Sequence, residues 1–172
     1  TRFINHWADR TVLTNLFPML AADICALLDD TDAAYFRKTR EERLGCSLED
    51  AREGRDERIR DLRRQLSPLR AAVRESPFLC GESPAYADYV CYTPFLWASC
   101  CSTFQVLEPD DPITDWGARL ADCFDGLARS AKRCACPLHV IGAMPYDIAR
   151  RMQVSAAPGG QMPIQTRMRS QR

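Results

Sequence analysis

The sequence predicts an all-α fold: a helical bundle of five or six helices around a buried central helix, followed by an irregular C-terminal tail. Three observations carry this. Apolar residues recur at three- and four-residue steps through the first 131 of 172 residues. Within that region Tyr89 to Leu107 is a run of 19 residues without a charge. Nowhere does the chain show the alternation of strand and helix patterns that marks an α/β domain.

Taken in order, the first helix spans Asp9 to Leu28, with Val12, Leu13, Leu16, Phe17, Leu20, Ile24, Leu27 and Leu28 on one face. Pro18 is expected to kink it. A charged helix follows from Asp32 to Leu44, where Gly45 supplies a left-handed stop. Ser47 and Asp50 then form a Ser-x-x-Asp cap: the hydroxyl accepts a backbone N–H and the acid favours the positive helix end. Arg37 to Glu75 carries twelve Lys/Arg and nine Asp/Glu around one stripe, Ile59, Leu62, Leu66, Leu69 and Val73. That pattern reads as a solvated helix with one buried seam, and opposite charges such as Asp56 and Arg60 stand at pairing distance along it. Pro68 bends or breaks this helix and Pro77 ends the segment.

The charge-free run from Tyr89 to Leu107 is apolar on every side, so it is either a membrane span or the central helix of a domain. Tyrosines, Pro94, hydroxyls and Gln105 dilute it, and its flanks Glu82, Asp88, Glu108, Asp110 and Asp111 give no positive anchor. The buried helix is therefore expected, and no membrane partner. A last helix begins at Asp111-Pro112 with Ile113, Trp116, Leu120, Phe124 and Leu127 along one face.

The 23 basic and 23 acidic side chains cancel, which removes the positive field a nucleic-acid partner needs. The balance conceals a split. Residues 1–133 hold 18 basic and 22 acidic groups, a net −4, whereas 134–172 hold 5 and 1, a net +4. The domain is therefore placed at 1–133. Residues 134–172, rich in proline and methionine and weak in periodicity, are expected to be a poorly ordered tail. Nine cysteines are scattered without a disulfide framework, several inside apolar runs, and point to a reducing, cytoplasmic setting. The opening Thr-Arg-Phe-Ile-Asn-His-Trp, with no initiator Met, reads as the middle of a longer chain.

Motifs for bond-making are absent. His6 and His139 have no nearby Ser or Cys in a nucleophile motif. Cys134-x-Cys136-x-x-His139 offers three soft ligands and lacks the fourth that a structural zinc wants, so no metal is expected. Gly159-Gly160 after Pro158 is a turn or linker.

One phrase is specific: Phe78-Leu79-Cys80-Gly81-Glu82-Ser83-Pro84-Ala85-Tyr86-Ala87-Asp88-Tyr89. It resembles the start of the core helix in the C-terminal domain of glutathione S-transferases, in which Phe-Leu-x-Gly, a Pro and Ala-Asp introduce a buried helix. Tyr35-Phe36-Arg37, Arg40-Glu41 and Gly45-x-x-Leu48-Glu49 resemble a subgroup of fungal and bacterial transferases related to lignin β-etherases and to UstS-like proteins. Trp116 and Asp125-Gly126-Leu127-Ala128 are similar to that group's last helix, so the resemblance covers about residues 3 to 131. Asp88, at the third position of its helix, can accept the N–H of residue 85, a structural cap with no catalytic part. The family has Ser or Thr at the place of Ala85. That omission costs about 1 kcal/mol where nothing compensates.

The resemblance implies that glutathione is the co-substrate and is held mainly by an N-terminal thioredoxin-like domain, which no segment here resembles. This half would wall the site for a small hydrophobic electrophile or ether, and the whole protein would be a homodimer. No catalytic residue is expected in the chain, which alone would be inactive. Trp7, Arg10, Thr14 and Phe17, three or four residues apart near the start of the first helix, are the candidate substrate-binding residues. The rival reading is a non-enzymatic helical interaction module that binds a protein through Asp32 to Glu75.

Overall fold

The structure, a computed structural model, describes residues 1–131. The expected tail 134–172, with Cys134, Cys136, His139 and Gly159-Gly160, lies outside the described residues. What is described is all-helical apart from one isolated bridge between Phe78 and Gly81. The first helix starts earlier than its periodicity indicated. It runs as α1 (Arg2–Trp7), a π-helical segment (Ala8–Leu13) and α2 (Thr14–Cys25), with helical backbone through both junctions. Pro18 sits inside α2, and the irregularity lies upstream of it: the Thr14 N–H reaches back five residues to the Asp9 carbonyl.

After α3 (Asp30–Leu44), capped by the Asp29 carboxylate and stopped by Gly45 at φ 75°, come α4 (Leu48–Arg52), α5 (Arg55–Gln65) and α6 (Ser67–Glu75). Here the bundle departs from the count of five or six. With α1 to α2 taken as one helix, seven helices are present among the described residues. The excess comes from Gly54, left-handed at φ 67°, which separates α4 from α5. The second break falls at Leu66, and Pro68 then occupies the first turn of α6, where its missing N–H is harmless. Ile59, Leu62, Leu66, Leu69 and Val73 are all buried as their spacing implied. Asp56 and Arg60 form no ion pair, and the surface pair along this helix is Arg64 with Asp61.

The Ser47 cap forms, its hydroxyl accepting the Asp50 N–H at 3.0 Å. Beside it the Arg37, Glu41 and Glu49 side chains staple α3 to α4. Arg37 donates to Glu41 at 2.9 Å and to both oxygens of Glu49 at 2.8 and 2.9 Å, while Glu41 also accepts the Leu48 N–H. The bidentate guanidinium lowers the Glu49 carboxyl to about 2. A lowered folded value contributes stability that is present above the unfolded carboxyl range and lost as pH falls through about 2. Between about pH 5 and pH 2, melting temperature should therefore fall more steeply in the natural chain than in Glu49→Gln. Parallel curves would show that this pair contributes nothing.

Helix α7 (Tyr86–Cys101) is the central helix, with no residue exposed. It is shorter than the charge-free run. The chain leaves the helix at Ser102, whose hydroxyl donates to Asp23 and accepts the Phe104 N–H, so that 102–107 are non-helical. No described helix is long and apolar enough to cross a membrane. Helix α8 (Pro112–Gly126) starts on the Asp111 cap as expected and buries Ile113, Trp116 and Leu120. Its end differs from the periodic reading. Phe124 and Asp125 are left-handed at φ 54° and 55°, Phe124 packs against the Tyr89 ring at 5.9 Å, and Leu127 is exposed. Among the described residues no disulfide joins two cysteines.

Candidate functional site

The Asp88 carboxylate is the fully buried charged group of the core helix. It is fully buried and accepts three hydrogen bonds: from the Ala85 N–H at 2.9 Å, the Leu79 N–H at 2.8 Å and the Trp116 indole N–H at 2.9 Å. Sequence reasoning found the first of these. The other two come from elements nine residues upstream and 28 residues downstream, and the one available signal was that a buried indole N–H needs an acceptor. Ala85 has no side-chain oxygen, but its carbonyl accepts the Asp88 N–H at 3.0 Å. All the carboxylate's partners are structural.

The four candidate substrate-binding residues stand along one continuous helix. Trp7 is half-buried against the core, and Arg10 is exposed on the π-helical segment. Thr14 is exposed, its hydroxyl donating to the Asp9 carbonyl at 2.8 Å. Phe17 is half-buried and lies nearly parallel to Trp97 of α7, with ring centres 6.3 Å apart and planes at 12°. It also meets Phe36 of α3 at 6.4 Å, and the Arg40 guanidinium lies 5.1 Å from the Phe36 ring. No hydrogen bond, ion pair or ring contact joins any two of the four. Phe36 and Trp97 are aromatic neighbours that linear spacing on one helix could not supply.

An open cleft of about 370 Å³ lies elsewhere, floored by Ala22, Cys25, Ala33 and Ala34 and rimmed by Arg37 and Glu49. Its rim charges are consumed by one another, as described above, and it includes none of the four candidates.

Three groups in the core have their titration shifted by burial. Burial pushes the Cys91 thiol up to about 12 and the Cys123 thiol upward, and burial likewise carries the Tyr89 phenol to about 12. These groups stay protonated near neutrality, the opposite of an activated nucleophile. His6 is exposed and has no partner of a hydrolytic triad. Among the described residues, no group of three His, Cys, Asp or Glu side chains is placed to hold a metal.

A family model described as the glutathione S-transferase, C-terminal domain, matches residues 1–116. The match takes in the whole run from α1 through the core helix α7 to Trp116, the residue that closes the Asp88 network. The chain belongs to the glutathione S-transferase C-terminal domain family.

Proposed function

We propose that this chain is the hydrophobic co-substrate half of a cytoplasmic, homodimeric glutathione S-transferase-like protein of the subgroup related to lignin β-etherases and UstS-like proteins. Its substrates are small hydrophobic electrophiles or ethers. The glutathione sulfur adds to the carbon of such a substrate, and the leaving group departs with the bonding electrons. Glutathione is bound and its thiol ionised by a thioredoxin-like domain that the described residues do not include. This half supplies an apolar wall that excludes water and holds the electrophile near the sulfur.

The observation that carries the reading is the first helix. It sets a half-buried Trp7 and a half-buried, ring-stacked Phe17 on either side of exposed Arg10 and Thr14. The part of each aromatic side chain left uncovered, beside two polar groups, suits an apolar ligand that carries a polar end.

Thermal-shift titration of the full-length parent with a hydrophobic glutathione conjugate tests this. A ligand at a hundred times its dissociation constant stabilises by about 2.7 kcal/mol. Phe17→Ala and Trp7→Ala should each weaken conjugate binding by about ten-fold, the order expected for losing part of a buried aromatic contact, and leave glutathione itself unaffected. A conjugate that gives no shift, or equal losses for glutathione and conjugate, overturns the assignment.

A further inference from the structure

We propose that the basic segment following α8, Lys132-Arg133, folds back along the outward face of α8 and is held there by Asp115 and Asp122. The contact lies within one chain and stands apart from the substrate reading above.

Charge gives the first reason. Residues 1–131 hold 16 basic and 22 acidic side chains, a net −6, and the 41 residues after them hold seven bases and the single acid Asp147, a net +6. Domain and continuation are oppositely charged, so they attract wherever they meet. On α8 the exposed residues Asp115, Ala118 and Asp122 follow one another at steps of three and four, which puts them on one outward face. Asp115 has no hydrogen-bond or ion-pair partner among the described residues. Arg119, one turn on from it, donates instead to the Pro77 carbonyl at 3.1 Å.

The chain has already turned onto this face. Phe124, Asp125 and Gly126 are all left-handed, at φ 54°, 55° and 75°, which breaks the helical path. Three residues later the exposed Arg129 pairs with Asp122 and donates to the Ala118 carbonyl at 3.4 Å, one turn nearer the start of α8. A guanidinium thus lies along the face and points back toward Asp115. From Asp122 to Asp115 is seven residues of helix, about 10 Å, whereas the four residues from Arg129 to Arg133 extend up to about 13 Å. A continuation in the direction that Arg129 sets brings Lys132 and Arg133 within side-chain reach of Asp115. All of these groups meet at the surface, so the contact is modest in strength and screened by salt.

Carbodiimide coupling of the full chain at low salt tests this, because it joins an amine to a carboxylate, as an amide, only where the two touch. Lys38 and Lys132 are the two lysines of the chain, so mass spectrometry assigns the joined peptides directly. The expected product is a monomer of 19.5 kDa in which Lys132 is joined to Asp115. A Lys132→Arg, Arg133→Lys variant moves the amine by one residue, and coupling to Asp115 in either chain supports the contact. Asp115→Asn should abolish the product, and about 1 M salt should cut its yield at least about ten-fold. Circular dichroism verifies that each variant is folded, which an exposed position permits. A segment free of α8 would couple first to Asp125, which is closer along the chain. Coupling in both chains to Asp125 or to scattered carboxylates without Asp115, or no coupling in either, overturns the proposal. So does a yield that salt leaves unchanged, or a product only at twice the monomer mass, which would make the partner a second copy.

Discussion

Asp88→Ala should destabilise the domain by about 4 kcal/mol. The change leaves three donors without an acceptor in a fully buried place: the Leu79 and Ala85 N–H groups and the Trp116 indole. A buried donor without a partner costs about 1–3 kcal/mol, and bonds to a charged acceptor are the stronger kind. Domains have about 5–15 kcal/mol in total, so urea unfolding followed by circular dichroism will resolve this clearly. Asp88→Asn should fall between the two. Its amide oxygen can serve one side of the network, but its NH₂ then faces a donor on the other. Trp116→Phe removes one donor and leaves two, so its loss should be smaller, and the double change should cost less than the sum of the singles. A loss under about 1 kcal/mol for Asp88→Ala would mean that the network is incidental to stability.

The second large effect lies where the charged helices meet the start of α8. Arg70 donates to one Asp111 oxygen from Nε at 2.9 Å and from Nη2 at 2.8 Å, and it also binds the Arg63 carbonyl. The Asp111 side chain is 4% exposed, and its other oxygen caps α8 through the Ile113 N–H. Arg70→Ala therefore strands a buried carboxylate, and a loss of about 3 kcal/mol is expected in the same unfolding measurement. Arg70→Lys keeps the charge but gives up the fixed fork, so it should recover part of the loss. Arg64→Ala, which breaks an exposed pair with Asp61, should cost at most about 0.5 kcal/mol. Equal losses at positions 64 and 70 would remove burial as the explanation.

This contrast bears on the charged segment. Twelve bases and nine acids between Arg37 and Glu75 read as a solvated face, and much of that face is solvated. Arg37, Arg52, Arg55, Arg63 and Arg70 are different, because each ties its helix to another segment through a carboxylate or carbonyl distant in sequence. Nothing in the local pattern separates them from Arg60 or Arg64. A charge's neighbours along one helix follow from spacing, but its partners across the fold do not.

The elements show the same division. Gly45, Ser47 and the Asp111-Pro112 pair marked helix ends correctly, because caps act through their own and adjacent backbone groups. Gly54 breaks the chain into two helices without a local signal, since a glycine among charged residues leaves the helical pattern on either side intact. The core helix ends at Cys101, six residues before the charge-free run does, for a related reason. Hydropathy groups residues 102–107 with the helix, but the hold of Ser102 on Asp23, 79 residues away, marks its end, and Thr103 and Gln105 beyond it are exposed.

The sequence by itself determined the all-α class, the buried central helix, the seam on α5 and α6 and the capping role of Asp88. All of these depend on periodicity and on contacts within a turn or two. Only the tertiary structure decided that Asp88 also holds Trp116 and Leu79 and that Phe17 acquires Trp97 and Phe36 as aromatic neighbours. It also left Tyr35, alone of its motif, facing outward. Those outcomes turn on which helices become neighbours, and that is set by packing the whole core at once.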